Sequence, residues 1–120
     1  MIGAKVSLLL VINHLPYDGD VVWNALRLAR TALDDGLDVR LFLMNDGVDL
    51  ARTESRPPEA EFDVQQMLQD LMEDGVAVRL CQTCLTRCGI GRGQLLPKAR
   101  IAGMEDLLDW IKRSDRVLTF

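Results

Sequence analysis

The sequence is poor in the residues that most active sites and dedicated binders rely on. Its 120 residues include one histidine, His14, and only 5% aromatics. With a single histidine and no serine and aspartate in supporting context, a Ser-His-Asp centre has no candidate. Gly-Lys-Ser/Thr occurs nowhere, which removes the phosphate loop of nucleotide-binding proteins. The longest apolar run, Leu8 to Ile12, has a strand's length and cannot cross a bilayer. The N-terminus lacks the basic, apolar and small-residue layout of a secretion signal, so a cytoplasmic protein without a membrane partner is expected. No basic excess exists either. The formal net charge is −4 with 27% charged residues, which argues against a direct nucleic-acid binder and its usual basic face. The length suits one domain over residues 1–120 and leaves little room for a second.

Apolar residues make up 48% of the chain, enough for a proper core, and they are patterned. Lys5 to Ile12 is nearly continuous apolar sequence, the mark of a central strand covered on both faces. Pro16 to Asp20 is turn chemistry, with Asp20 placed to cap a helix. In that helix Val21, Val22, Ala25, Leu26, Ala29, Ala32 and Leu33 recur at helical spacing, and Gly36 stands where it should stop. Val39 to Met44 reads as a second strand, closed by Asn45, Asp46 and Gly47. Between Val48 and Glu61 the pattern fails; Pro57-Pro58 forbids a continuous helix, and one helical turn followed by a mobile loop is expected. Val64, Met67, Leu68, Leu71 and Met72 predict a second helix, capped by Asp63 and stopped at Gly75. Val76 to Leu80 predicts a third strand, and Lys98 to Ala102 a short fourth. Met104, Leu107, Leu108 and Ile111 stripe a last helix with Glu105 and Asp106 in its first turn, where the helix dipole favours negative charge. Arg116 to Phe120 is the final strand. Alternating strands and helices imply crossover connections, a mostly parallel sheet and helices on both faces.

The chemistry is concentrated in one place. All three cysteines, Cys81, Cys84 and Cys88, lie within eight residues at the end of the third strand, followed by Gly89, Gly91 and Gly93. Open parallel sheets present their ligand crevices at the carboxyl ends of strands. Three thiols in a cytoplasmic chain point to catalysis, redox chemistry or metal binding rather than a disulfide framework. If the loop turns helical near Cys84, then Cys84 and Cys88 share a face. Free backbone N–H groups at such a turn, with Arg87 or Arg79, favour the nucleophilic thiolate. The competing explanation is burial, because free cysteine is often a small core hydrophobe. A metal reading is also available: Cys-x-x-Cys-x-x-x-Cys offers three soft ligands and His14 a fourth, but the second knuckle of most zinc sites is missing. Neither a metal nor another cofactor is therefore expected. The glycines are better read as a turn that lets backbone approach the thiols than as a phosphate cradle.

Several stretches together resemble the DsrE/DsrF-like family of small sulfur-relay proteins, in particular its YchN-type branch. They are Pro16-Tyr17 after the first strand, Asn24 to Ala29, Leu41 to Asp46, Gln65 to Leu68, Leu80 to Cys84, and Ser114 to Phe120. The resemblance implies a three-layer α/β/α domain with a five-stranded parallel sheet. It also implies assembly into homo-trimers or homo-hexamers, with thiol loops near subunit boundaries. In such proteins a cysteine directly after the third strand accepts sulfur as a persulfide. Cys81 matches that position, and Cys84 matches a second cysteine usual in the branch. Relatives commonly place arginine directly before the glycine, where this chain has Cys88 and puts Arg87 one residue earlier. The expectation is a sulfur carrier or sulfurtransferase-like protein that works between a sulfur donor protein and an acceptor protein. Cys81 would be the acceptor, Cys84 the resolving or relaying thiol and Arg87 its support, with Cys88, His14 and Tyr17 as accessory residues. The alternative is a non-catalytic oligomeric module that holds a small ligand or metal in its cysteine-lined crevice.

Overall fold

The structure is a computed structural model, and it describes residues 5–120; the first four residues of the expected domain lie outside the described ones. Five strands form one sheet in the order β4-β3-β2-β1-β5: β1 (Ser7–Ile12), β2 (Asp38–Leu43), β3 (Ala77–Cys81), β4 (Arg100–Ala102) and β5 (Arg116–Thr119). Every pairing is parallel. The expected mostly parallel α/β fold is therefore all-parallel. β1 is central, and all six of its residues are buried, which explains its unbroken apolar run. Leu9, Leu10 and Ile12 have no exposed surface, and truncating one such side chain typically costs about 2–5 kcal/mol.

Helix α1 (Val21–Asp34) packs on β1 and β2 and against α2 (Val64–Glu73). Strands β1 to β4 step across the sheet in one direction, so right-handed crossovers put both helices on one face. The connection from β4 to β5 returns the other way, and α4 (Met104–Arg113) covers the opposite face. Its Trp110 meets Phe42 of β2 edge-on at 6.2 Å between centroids. Arg79 of β3 lies over the same indole at 4.3 Å. Asp63 caps α2 as expected, accepting the Gln66 N–H at 3.0 Å. Asp20 precedes α1 without a side-chain cap bond. Gly36 and Gly75 end α1 and α2 with φ of +90° and +100°.

Besides the missing Asp20 cap bond, three expectations need correction. First, the stretch after β2 is a 3-10 helix over Asn45–Ala51, beginning three residues before the expected turn. Second, the excursion that follows is tied down rather than loose. The Gln65 side-chain amide donates to the carbonyls of Leu50 and Arg52 and to Ser55 Oγ. Phe62 stacks on Trp23 of α1 at 4.1 Å. Third, the buried stripe of α4 consists of Leu107 and Trp110, while Met104, Leu108 and Ile111 are 63%, 56% and 40% exposed. Helical spacing alone does not distinguish a core-facing stripe from an outward one when both are apolar.

Candidate functional site

Cys81 is both the last residue of β3, paired with Ala102 of β4, and the N-cap of a short helix, α3 (Gln82–Arg87). The sheet therefore fixes its backbone while the helix begins at the next residue. This is two residues earlier than the sequence predicts. An N-cap side chain normally accepts a backbone N–H with oxygen. Here sulfur does so: the Cys84 N–H donates to Cys81 Sγ at 3.3 Å. The Cys84 thiol also donates to Cys81 Sγ, with the two sulfurs 2.8 Å apart. All three cysteines are free. Cys81 thus receives two donors from one residue, an arrangement that suits a sulfur bearing negative charge.

Cys84 is buried in the first turn of α3, and its sulfur has a second neighbour. The backbone N–H of Asn45 donates to it at 3.1 Å. Burial and the bond to Cys81 raise the Cys84 thiol pKa above its ordinary value, and the Asn45 N–H opposes them. The thiol therefore keeps its proton and can supply it to Cys81. The helix and the Asn45 contact together hold Cys84 in place. Cys88 caps the far end of α3, one turn on and exposed, with its N–H on the Cys84 carbonyl at 2.9 Å.

The pair opens onto a crevice of about 670 Å³ whose walls include Met44, Asp46, Gln82, Arg87, Cys88 and Met104. Arg87 is exposed on this wall and has no ion-pair partner within 4 Å among the described residues. Among the described residues it is the arginine that lines this crevice. Arg79, the other arginine considered beside the thiols, is engaged with Trp110. A cleft of about 240 Å³ between α2 and Leu96 to Lys98 is lined by no cysteine.

Two accessory residues are placed elsewhere. His14 Nε2 lies 3.0 Å from the Asp18 carbonyl and lines no part of the thiol crevice. The Tyr17 hydroxyl accepts the Gln65 N–H at 3.3 Å in a separate cleft with Trp23 and Phe62; burial raises its pKa. Among the described residues no three histidine, cysteine or carboxylate side chains converge as a metal would require. The fourth-ligand role for His14 therefore has no geometric basis. Sequence reasoning missed Asn45 and Asn13. Asn45 looks like turn punctuation, and its one signal is that asparagine tolerates the left-handed conformation at a strand end.

Comparison with known proteins agrees with this architecture. The model of the DsrE/DsrF-like family matches residues 6–120. The protein YchN of Escherichia coli K12 is 36% identical over 116 residues, covering 95% of this chain and 98% of that protein. The uncharacterized protein MJ0989 of Methanocaldococcus jannaschii is 36% identical over 110 residues, covering 92% of this chain and 96% of that protein. The crystal structure of Escherichia coli YchN superimposes with a TM-score of 0.89 over 97% of this chain and all of that one. MTH1491 of Methanobacterium thermoautotrophicum, a protein of unknown function, shares the fold at a TM-score of 0.78 with 14% identity. With its family model matched from the first strand to the last residue, this chain belongs to the DsrE/DsrF-like family.

Proposed function

We propose that this protein is a cytoplasmic sulfur-relay protein, a carrier with sulfurtransferase-like chemistry, with Cys81 as the persulfide acceptor. The observation that supports this most directly is the asymmetric thiol pair. Cys84 directs both its N–H and its S–H at Cys81 Sγ, at the mouth of a crevice. Loading is a displacement at sulfur. The Cys81 thiolate attacks the outer sulfur of a donor protein's persulfide, the donor's S–S bond breaks, and its inner sulfur leaves as a thiolate. The outer sulfur moves from one cysteine to another without net oxidation or reduction. A thiolate of the acceptor protein then attacks the outer sulfur on Cys81, and the Cys81 thiolate is restored. Cys84 provides a second exit: once deprotonated, it attacks the inner sulfur of Cys81, forming a Cys81–Cys84 disulfide and releasing hydrosulfide. An external dithiol then reduces that bond. Arg87 on the crevice wall favours the anionic sulfur species.

The outward apolar stripe supports assembly into a homo-trimer or homo-hexamer. Met104 belongs both to that stripe and to the crevice wall, so a neighbour seated on α4 would border the thiols. The test of function is intact mass after incubation with a cysteine desulfurase and cysteine, followed by persulfide labelling and peptide mapping. Parent protein should gain one reductant-labile sulfur on the peptide containing Cys81, and Cys81→Ser should gain none. Absence of labile sulfur on the parent would instead favour a non-catalytic binding module.

A further inference from the structure

The Asn45 contact is built by two parts of the chain outside α3, the end of β1 and the 3-10 segment after β2. Asn45 has φ +50°, one of two non-glycine residues with positive φ among the described residues. That left-handed conformation is unfavourable for most side chains and less so for asparagine. It is held from two sides. The Asn45 side-chain amide donates to Asn13 Oδ1 at 2.8 Å, joining the end of β2 to the end of β1. Gly47, two residues on, presses against the Ile12 carbonyl so closely that a Cβ would fall 2.2 Å from its oxygen. The result is a backbone N–H aimed at Cys84 Sγ, a sulfur on an element 39 residues away.

We infer that Asn45 is a positioning residue for Cys84: its left-handed backbone, locked by Asn13, holds the N–H that receives negative charge on the Cys84 sulfur. The geometry concerns Cys84 as a nucleophile in any thiol reaction. Its use in emptying Cys81 rests on the sulfur-relay reading above. In that use Cys84 has opposite duties at two moments. While Cys81 loads, the Cys84 proton belongs on the bond to Cys81. When Cys84 attacks, that proton has left, and Cys81, which only accepts from Cys84, offers it no donor. The Asn45 N–H is the contact that remains to stabilise the new thiolate. The other ionisable groups around Cys84 are Cys81 and Cys88 on its own side, Asp46 of the 3-10 segment and Arg87 of α3. None of Cys81, Cys88 and Asp46 donates a hydrogen bond to the Cys84 sulfur, and Arg87 is exposed on the crevice wall.

The test uses the full chain with Cys81→Ser and Cys88→Ser, which leaves Cys84 as the sole thiol. The rate of iodoacetamide alkylation is followed from pH 6 to pH 10, with circular dichroism as the folding check. Asn45→Ala disfavours the left-handed backbone, Asn45→Gly permits it, and Asn13→Ala removes only the lock. Losing one hydrogen bond to a charged group reduces the thiolate fraction about tenfold. The more basic thiolate is a better nucleophile, which returns part of that loss, so the net fall at pH 8 is about threefold. Asn45→Ala should show that fall and an alkylation profile moved to higher pH. Asn13→Ala should move the same way, and Asn45→Gly should stay closer to the parent than Asn45→Ala. A folded Asn45→Ala protein with the parent profile would overturn the inference. Should Asn45→Ala fail to fold, an unmoved profile in Asn13→Ala would overturn it equally. Sulfur loading is measured separately in the chain with all three cysteines. A parent that never loads sulfur would defeat the relay reading while leaving the alkylation result standing.

Discussion

Gly47 is the position where a single added carbon has the most predictable cost. A Cβ there would lie 2.2 Å from the Ile12 carbonyl oxygen and 2.8 Å from its carbon. Both are backbone atoms of the central strand, so no rotamer change relieves the clash. Ile12 is also committed, because its carbonyl accepts the Met44 N–H at 2.8 Å. Restoring an ordinary contact requires the 3-10 segment to retreat by about 1 Å. Forced shifts in a packed interior cost about 1–3 kcal/mol, and the rigidity of both partners places Gly47→Ala toward the upper end. At this chain length that corresponds to a melting temperature lower by about 10 °C. The assay is urea and thermal unfolding at one fixed protomer concentration, since assembly would make the midpoint concentration-dependent. Gly93→Ala is the control: nothing lies within 4 Å of its added Cβ, and a change within about 0.5 kcal/mol is expected. If Gly47→Ala melts with the control, the close approach of the 3-10 segment to β1 is not what holds the crevice wall.

Three further outcomes are expected. Peptide mapping of sulfur-loaded variants should find Cys84→Ser loaded on Cys81 but slow to discharge and unable to form the intramolecular disulfide, with Cys88→Ser affected less; equal discharge by all variants would remove Cys84 from the relay. Leu108→Lys with Ile111→Lys should shift light scattering from a trimer or hexamer towards monomer, because both side chains are exposed on α4, while parent protein that is monomeric at micromolar concentration would refute the assembly reading. Asp115 accepts the Ser7 N–H at 2.8 Å and the Ser7 hydroxyl at 3.2 Å, which lowers its pKa; the contribution is therefore present above the ordinary carboxylate range and lost as pH falls through the lowered value, and Asp115→Ala should flatten that acid limb of the stability curve.

The layered fold was legible because its elements report themselves locally. β1 is apolar throughout since both its faces are covered, and α2 announces itself with Asp63 before and Gly75 after. The crevice was legible at Cys81 because a strand end followed by three thiols is unusual in itself. What could not be read was anything that depends on two distant segments meeting. Asn45 and Asn13 are 32 residues apart, and Asn45 and Cys84 are 39 apart; nothing at either position indicates the other. His14 looked near the thiols because both follow parallel strands. The sheet order places β2 between β1 and β3, and the histidine ring is occupied with Asp18. The outward stripe of α4 misled for a different reason. An apolar side chain that faces outward carries the same periodicity as one that faces the core.

Cys84 also has its own relation to the proton: it is buried, donates to Cys81, and has a raised pKa. A raised thiol pKa means that the folded state holds the proton more tightly than the unfolded chain. Stability contributed this way is complete below the ordinary thiol range and is lost as pH rises through the raised value. Alkaline pH should therefore destabilise the parent through Cys84, and Cys84→Ala should show a flatter alkaline limb in urea unfolding carried out under reductant. Cys88→Ala serves as the comparison, since that thiol is exposed and caps the far end of α3. If Cys84→Ala and Cys88→Ala flatten the limb equally, burial of the Cys84 thiol is not the source of the pH dependence. A difference confined to Cys84→Ala would mean that the residue holding the proton in the folded state is the same one whose sulfur Asn45 faces.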